Sequence, residues 1–147
     1  MMNLKLFILL IIFQLKHFIA DFPLQNSYML GKFKEKGWIL PLTAHAGVHA
    51  ILTGLISSMF VNIYAIIGLM IFDFIIHFTM DRVKASPKML GKYSALSKRD
   101  VERSITHSSC QLTDKDWKNN TYFWWSLGLD QMVHHITHYI IIYFLCY

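Results

Sequence analysis

Hydrophobic residues run along this chain in four long stretches, at about 4–22, 38–60, 62–82 and 122–146. At 1.5 Å of rise per helical residue, the shortest reaches roughly 28 Å, about the apolar thickness of a bilayer. A polar, basic segment (23–37) separates the first two stretches, and a short uncharged turn around 57–62 separates the second from the third. A long hydrophilic segment, 83–121, precedes the fourth. The pattern predicts an all-α fold: an integral membrane four-helix bundle running up-down-up-down, with a basic cytoplasmic loop region between helices 3 and 4. One membrane domain is expected over 1–147. Pro23 and Gly37 are placed to open and close a short helix in the first connection. The first stretch is read as a retained helix rather than a cleaved leader, because Phe18-Ile19-Ala20 lacks a small-x-small site.

Charge placement orients the bundle. Lys32, Lys34 and Lys36 load the first connection, nine Lys/Arg against four Asp/Glu load residues 82–120, and the 57–62 turn has none. The positive-inside rule then puts both basic segments in the cytoplasm and both termini on the far side, with an inner-membrane location. Trp38, Trp124-Trp125, Tyr143 and Tyr147 sit where interfacial aromatic anchors belong. Composition agrees: 54% of residues are hydrophobic and only 16% charged, too apolar for an ordinary soluble domain. Cys110 and Cys146 have neither zinc-ribbon nor redox spacing.

The polar residues inside the apolar stretches share one spacing. His17 and Asp21, His45 and His49, Asp73, His77 and Asp81, and Asp130 and His134 are each four residues apart, so each set lines one face of its helix. In the predicted topology His17, Asp21, His45, His49, His77, Asp81, Asp130 and His134 converge in one layer, roughly 5–15 Å below the cytoplasmic boundary. An aspartate near the membrane centre costs roughly 2.5–3.5 kcal/mol on the insertion scale. Four of the nine acids lie in apolar stretches, where Lys16 is the only basic residue away from the ends, so Lys/Arg pairing is not expected to neutralise them. A divalent cation supplies the missing charge and suits neutral imidazole with carboxylate. Eight ligands exceed one tetrahedral site, which predicts two metal ions, zinc first, with manganese or iron as other fits.

Around these lie supporting candidates. Gln25, Lys84 and Gln131 fall within a turn of Asp21, Asp81 and Asp130, and Lys84 is also placed to hold a substrate anion. Asp73 lies one turn deeper than His77 and is placed to orient its imidazole. His138, a turn past His134, is a reserve ligand; His135 points off that face; His107 is a loop candidate.

The ordered motifs His17-Phe-Ile-Ala-Asp21-Phe-Pro-Leu-Gln25, His45-Ala-Gly-Val-His49, His77-Phe-Thr-Met-Asp81-Arg-Val-Lys84 and Leu129-Asp130-Gln131-Met-Val-His134 resemble those of domain of unknown function 3307. That family comprises small bacterial and phage membrane proteins. The likeness spans most of the chain except roughly 86–120. It implies a multi-span membrane protein in which Gln25, Lys84 and Gln131 belong to the signature, and it implies no activity.

A buried metal layer at the cytoplasmic face leads to the expectation of a metal-dependent hydrolase acting on a lipid or other membrane-proximal ester, phosphodiester or amide. The expected partners are the bilayer and anionic lipid headgroups, not nucleic acid. The alternatives are a non-catalytic bundle stapled by metal and binding a partner, a divalent cation or proton transporter, and a redox protein with iron or haem.

Overall fold

The computed structural model describes residues 4–34, 36–86, 89 and 121–147. Among these residues the chain is all-helical: α1 (Leu4–Asp21), α2 (Ile39–Ser57), α3 (Ile63–Ala85) and α4 (Thr121–Cys146), with a 3-10 turn at Met29–Phe33 between α1 and α2 and no strand. The expected helices are therefore present. Boundaries move by a few residues, chiefly at α3, which continues past residue 82 and carries Lys84 in its last turn.

Local chemistry accounts for the joints. Asn62 is in extended conformation, and its Oδ1 accepts the Ala65 N–H at 3.1 Å, so the tight turn ends in an N-cap for α3. The connection between α1 and α2 differs from the expectation of a helix opened by Pro23. The ordered turn starts later, where the Asn26 side chain accepts the Met29 N–H at 3.0 Å. Gly37, with φ +73°, reverses the backbone just ahead of α2, a conformation open to glycine at little cost.

Helices α2 and α4 both contact α1 and α3, closing a four-sided bundle. The start of α1 meets the end of α4, where the Lys5 ammonium donates to the Leu145 carbonyl at 2.6 Å. At Gly54 the absence of a side chain lets α3 close in: a Cβ there would stand 2.5 Å from Met70 Sδ. An apolar cluster of Leu9, Phe13, Leu69, Ile141, Ile142 and Leu145 fills this end of the bundle.

Farther along, the interior turns polar. The buried face of α3 is Leu69, Asp73, His77, Asp81 and Ala85, an unbroken i,i+4 line whose centre is charged. Meanwhile Phe7, Ile11, Leu15 and Phe18 of α1, Ile63, Ile67, Ile71 and Ile75 of α3, and Met132, Ile136, Ile140 and Phe144 of α4 face outward. Among the described residues two helices, α2 and α3, are long and apolar enough to cross a membrane. Four such spans were expected; α1 carries three charged residues in its 18 (Lys5, Lys16 and Asp21), and α4 carries Asp130 with His134, His135 and His138.

Candidate functional site

One imidazole from each helix meets at the centre of the bundle: His17 from α1, His49 from α2, His77 from α3 and His134 from α4. Ring centroids lie 3.8 Å apart for His49–His77, 4.1 Å for His77–His134 and 5.2 Å for His17–His134. His17 is 5.4 Å from His49 and 5.9 Å from His77. All four are buried. The i,i+4 spacing puts the other polar residues a turn to either side, so the structure brings together all eight residues singled out as ligands.

On the side nearer the basic connection, Asp21 is the focus. Its carboxylate lies 3.1 Å from the Nε2 atoms of His17 and His49 and 3.5 Å from that of His45. The His17 contact is close but poorly aligned, and both ring nitrogens of His17 lack a hydrogen-bond partner. His45 Nε2 also reaches Asp81 Oδ2 at 3.0 Å. Asp81, Asp130 and His134 offer ligand atoms within 4.8 Å of one another, as do Asp21, His45 and His49, and likewise His17, His49 and His77.

The expectation that lysines cannot neutralise the acids is overturned. Lys16 lies 2.8 Å from Asp73, Lys32 lies 2.8 Å from Asp81, and Lys84 lies 2.6 Å from Asp130. Lys32 belongs to the 3-10 turn, which folds onto α2 and α3 and tucks a long amine-tipped stem into the bundle. Lys84 reaches inward because α3 continues for another turn. Among the described residues three lysines pair with three of the four aspartates, and the fourth, Asp21, has imidazoles as its nearest partners.

The lysines leave lone pairs available. Lys32 and Lys84 each hold the Oδ2 atom of their aspartate. Asp130 Oδ1 is buried without a partner, as are His77 Nε2 and both ring nitrogens of His134. His77 Nδ1 faces its own-turn carbonyl of Asp73 at 3.0 Å. A carbonyl only accepts, so Nδ1 carries the proton and Nε2 presents a lone pair to the interior. Asp73 thus orients His77 chiefly through its backbone oxygen. Buried polar atoms left without a partner are costly, at roughly 1–3 kcal/mol each. A cation ligated by Nε2 and carboxylate oxygens would remove that cost, so the donor set fits a nitrogen- and oxygen-preferring divalent metal.

The supporting candidates divide. Gln131 donates to Asp130 Oδ2 at 3.3 Å, and Lys84 holds the same oxygen. Gln25 is half-buried just past α1. His138 is buried, with its Nε2 3.3 Å from the Lys16 amine. His135 is half-buried beside His17, at 5.8 Å between ring centroids. His107 and Cys110 lie outside the described residues; Cys146 is a free thiol. Sequence reasoning passed over Lys32, for which a surface role was expected, and Thr53. The signal for Thr53 was present: His45, His49, Thr53 and Ser57 continue the i,i+4 stripe of α2, and all four are buried. Thr53 Oγ1 donates to Asp73 Oδ2 at 2.8 Å.

A sequence profile described as "Protein of unknown function (DUF3307)" matches residues 7–147, in agreement with the resemblance carried by the four motifs. No curated protein and no solved structure matches the chain.

Proposed function

The chain belongs to this family of proteins of unknown function, and on the geometry of its buried layer we propose that it is a multi-pass membrane protein holding divalent metal in a His/Asp centre, acting as a hydrolase at the cytoplasmic face. The observation that carries the reading is the cluster of four buried imidazoles, one per helix, with partnerless ring nitrogens beside aspartates. Helix order, the Lys5–Leu145 contact and the outward-facing apolar side chains support an up-down-up-down bundle in lipid. The basic 23–37 segment, at the His/Asp end of the bundle, supports a cytoplasmic position for that end.

In this reading Asp21, His17, His45 and His49 hold the first cation. Asp81, Asp130 and His134 offer the second place, through the oxygens their lysines leave open. A divalent cation at such a site lowers the pKa of a water it binds and stabilises charge developing on a phosphoryl or acyl oxygen. Lys32, Lys84 and Gln131 fix the carboxylate orientations, the task that hydrogen-bonding partners of metal ligands generally perform. Counting the described lysines and aspartates with the histidines neutral, the layer carries one more negative charge than positive before any ion binds. One divalent cation reverses that balance, and a second makes it strongly positive, which favours an anionic substrate such as a phosphodiester or phosphomonoester headgroup. Transport is disfavoured because the polar layer stops at the Leu9, Phe13, Leu69, Ile141, Ile142 and Leu145 cluster, which offers a cation nothing to hold.

The test is hydrolysis by the full chain in micelles containing anionic phospholipid. The protein is stripped with chelator and reloaded with zinc or manganese, and wild type is compared with Asp130→Asn. Release of a headgroup or acyl chain that needs metal and falls by two orders of magnitude or more in the variant supports the proposal. Full metal loading without turnover on phosphodiester, phosphomonoester and carboxylic ester lipids would reject the hydrolase and leave a metal-stapled bundle.

A further inference from the structure

One group in the bundle interior extends the outer layer inward and shares only His77 with it. Asp73 and His138, one turn deeper than the four-imidazole cluster and against the apolar plug, join His77 of that cluster, and the three offer ligand atoms within 4.8 Å of one another. All three are buried. Asp73 Oδ1, His77 Nε2 and His138 Nδ1 have no hydrogen-bond partner. Thr53 adds a hydroxyl oxygen, 2.8 Å from Asp73 Oδ2. A carboxylate and two imidazoles are donors of the kind that hold zinc or a similar ion, and the Thr53 hydroxyl orients the carboxylate beside them.

The group already contains a cation. The Lys16 amine is 2.8 Å from Asp73 Oδ2 and 3.3 Å from His138 Nε2, so it bridges two of the three members. An ammonium only donates, and it therefore takes up the His138 Nε2 lone pair as well as the carboxylate. Lys32 and Lys84 behave differently. Each is hydrogen-bonded to a single carboxylate oxygen at the edge of its group and to no imidazole. Lys16 stands between Asp73 and His138, with Phe13 against the His138 ring at 5.3 Å.

We propose that Asp73, His77, His138 and Thr53 form a divalent-cation site that Lys16 occupies as a tethered ammonium, keeping metal out of the deep end of the bundle. A compact point charge on a flexible four-carbon stem suits this role, because the ammonium supplies one positive charge where a metal would supply two. Its consequence is that metal loaded from the cytoplasmic side stops at the Asp21 layer. The inference uses the metal reading for what the outer layer does, but its own test does not depend on it.

The experiment counts zinc per chain in detergent-purified full-length protein, by elemental analysis after equilibration with zinc and removal of the excess. Wild type sets the reference value. Lys16→Met, of similar length and without charge, is expected to hold one equivalent more, and adding His138→Ala to it is expected to remove that equivalent. Lys16→Arg keeps a cation and is expected to match wild type. A folded Lys16→Met protein with unchanged zinc overturns the proposal. Asp73→Asn in the wild-type background supplies an independent arm: its zinc content is expected to equal wild type, and loss of an equivalent would mean that Asp73 holds a metal rather than an amine. Wild type without zinc would defeat the metal reading of the outer layer. A single equivalent gained by Lys16→Met would still support the deep site in that case.

Discussion

Removing the Lys32 amine tests how the buried acids are kept in the bundle. Lys32 Nζ is 2.8 Å from Asp81 Oδ2, and both side chains are nearly sealed from solvent, at 4% and 3% exposed. Two unit charges at that separation attract by about 6 kcal/mol for an effective dielectric near 20. Much of this is offset by desolvation, and losing one member of such a pair typically costs about 3–5 kcal/mol because the other charge is left uncompensated. Asp81 Oδ2 keeps a second contact, His45 Nε2 at 3.0 Å, which argues for the lower end. Lys32→Met is therefore expected to destabilise the protein by about 3 kcal/mol. Lys32→Met combined with Asp81→Asn is expected to recover about 2 kcal/mol relative to the sum of the single changes. The assay is equilibrium unfolding of metal-stripped protein in mixed micelles, followed by far-ultraviolet circular dichroism. A cost below about 1 kcal/mol, or additive single changes, would mean that the amine does not neutralise Asp81 and that the pairing scheme is wrong.

Other expectations are more local. Asn62→Ala should lose the α3 cap and about 1 kcal/mol in the same unfolding assay, with no change in metal content. Gly54→Val should push α3 from α2 and destabilise by about 1–3 kcal/mol through overpacking against Met70, and a companion Met70→Ala should return part of that loss. Lys84→Met frees Asp130 Oδ2 of its nearest donor, and the affinity of the second metal should fall by about 10–100-fold in a competitive chelator titration.

Much of this was legible in the sequence, and for one reason. A four-residue spacing places side chains on one helix face whatever the helix packs against, so His17 with Asp21 or Asp130 with His134 declare a shared direction before any tertiary structure is known. Hydrophobic length gave the helices with equal directness. The lysines were not legible. Whether Lys32 points to water or to Asp81 depends on how the 3-10 turn folds back across α2 and α3, a long-range contact that no local pattern encodes. Nor did the linear pattern reveal that Lys16, adjacent to His17, lies between Asp73 and His138. Those positions are set by the packing of α1 against α4 and by the length of the lysine stem.

In the proposed function the four-helix layer holds metal through Asp21 and its imidazoles. Elemental analysis of the detergent-purified full chain, wild type against Asp21→Asn, tests it most directly. At least one equivalent of divalent metal per wild-type chain is expected, and the loss of one in the variant. A folded wild-type protein that holds no zinc, manganese or iron after equilibration with each would contradict it.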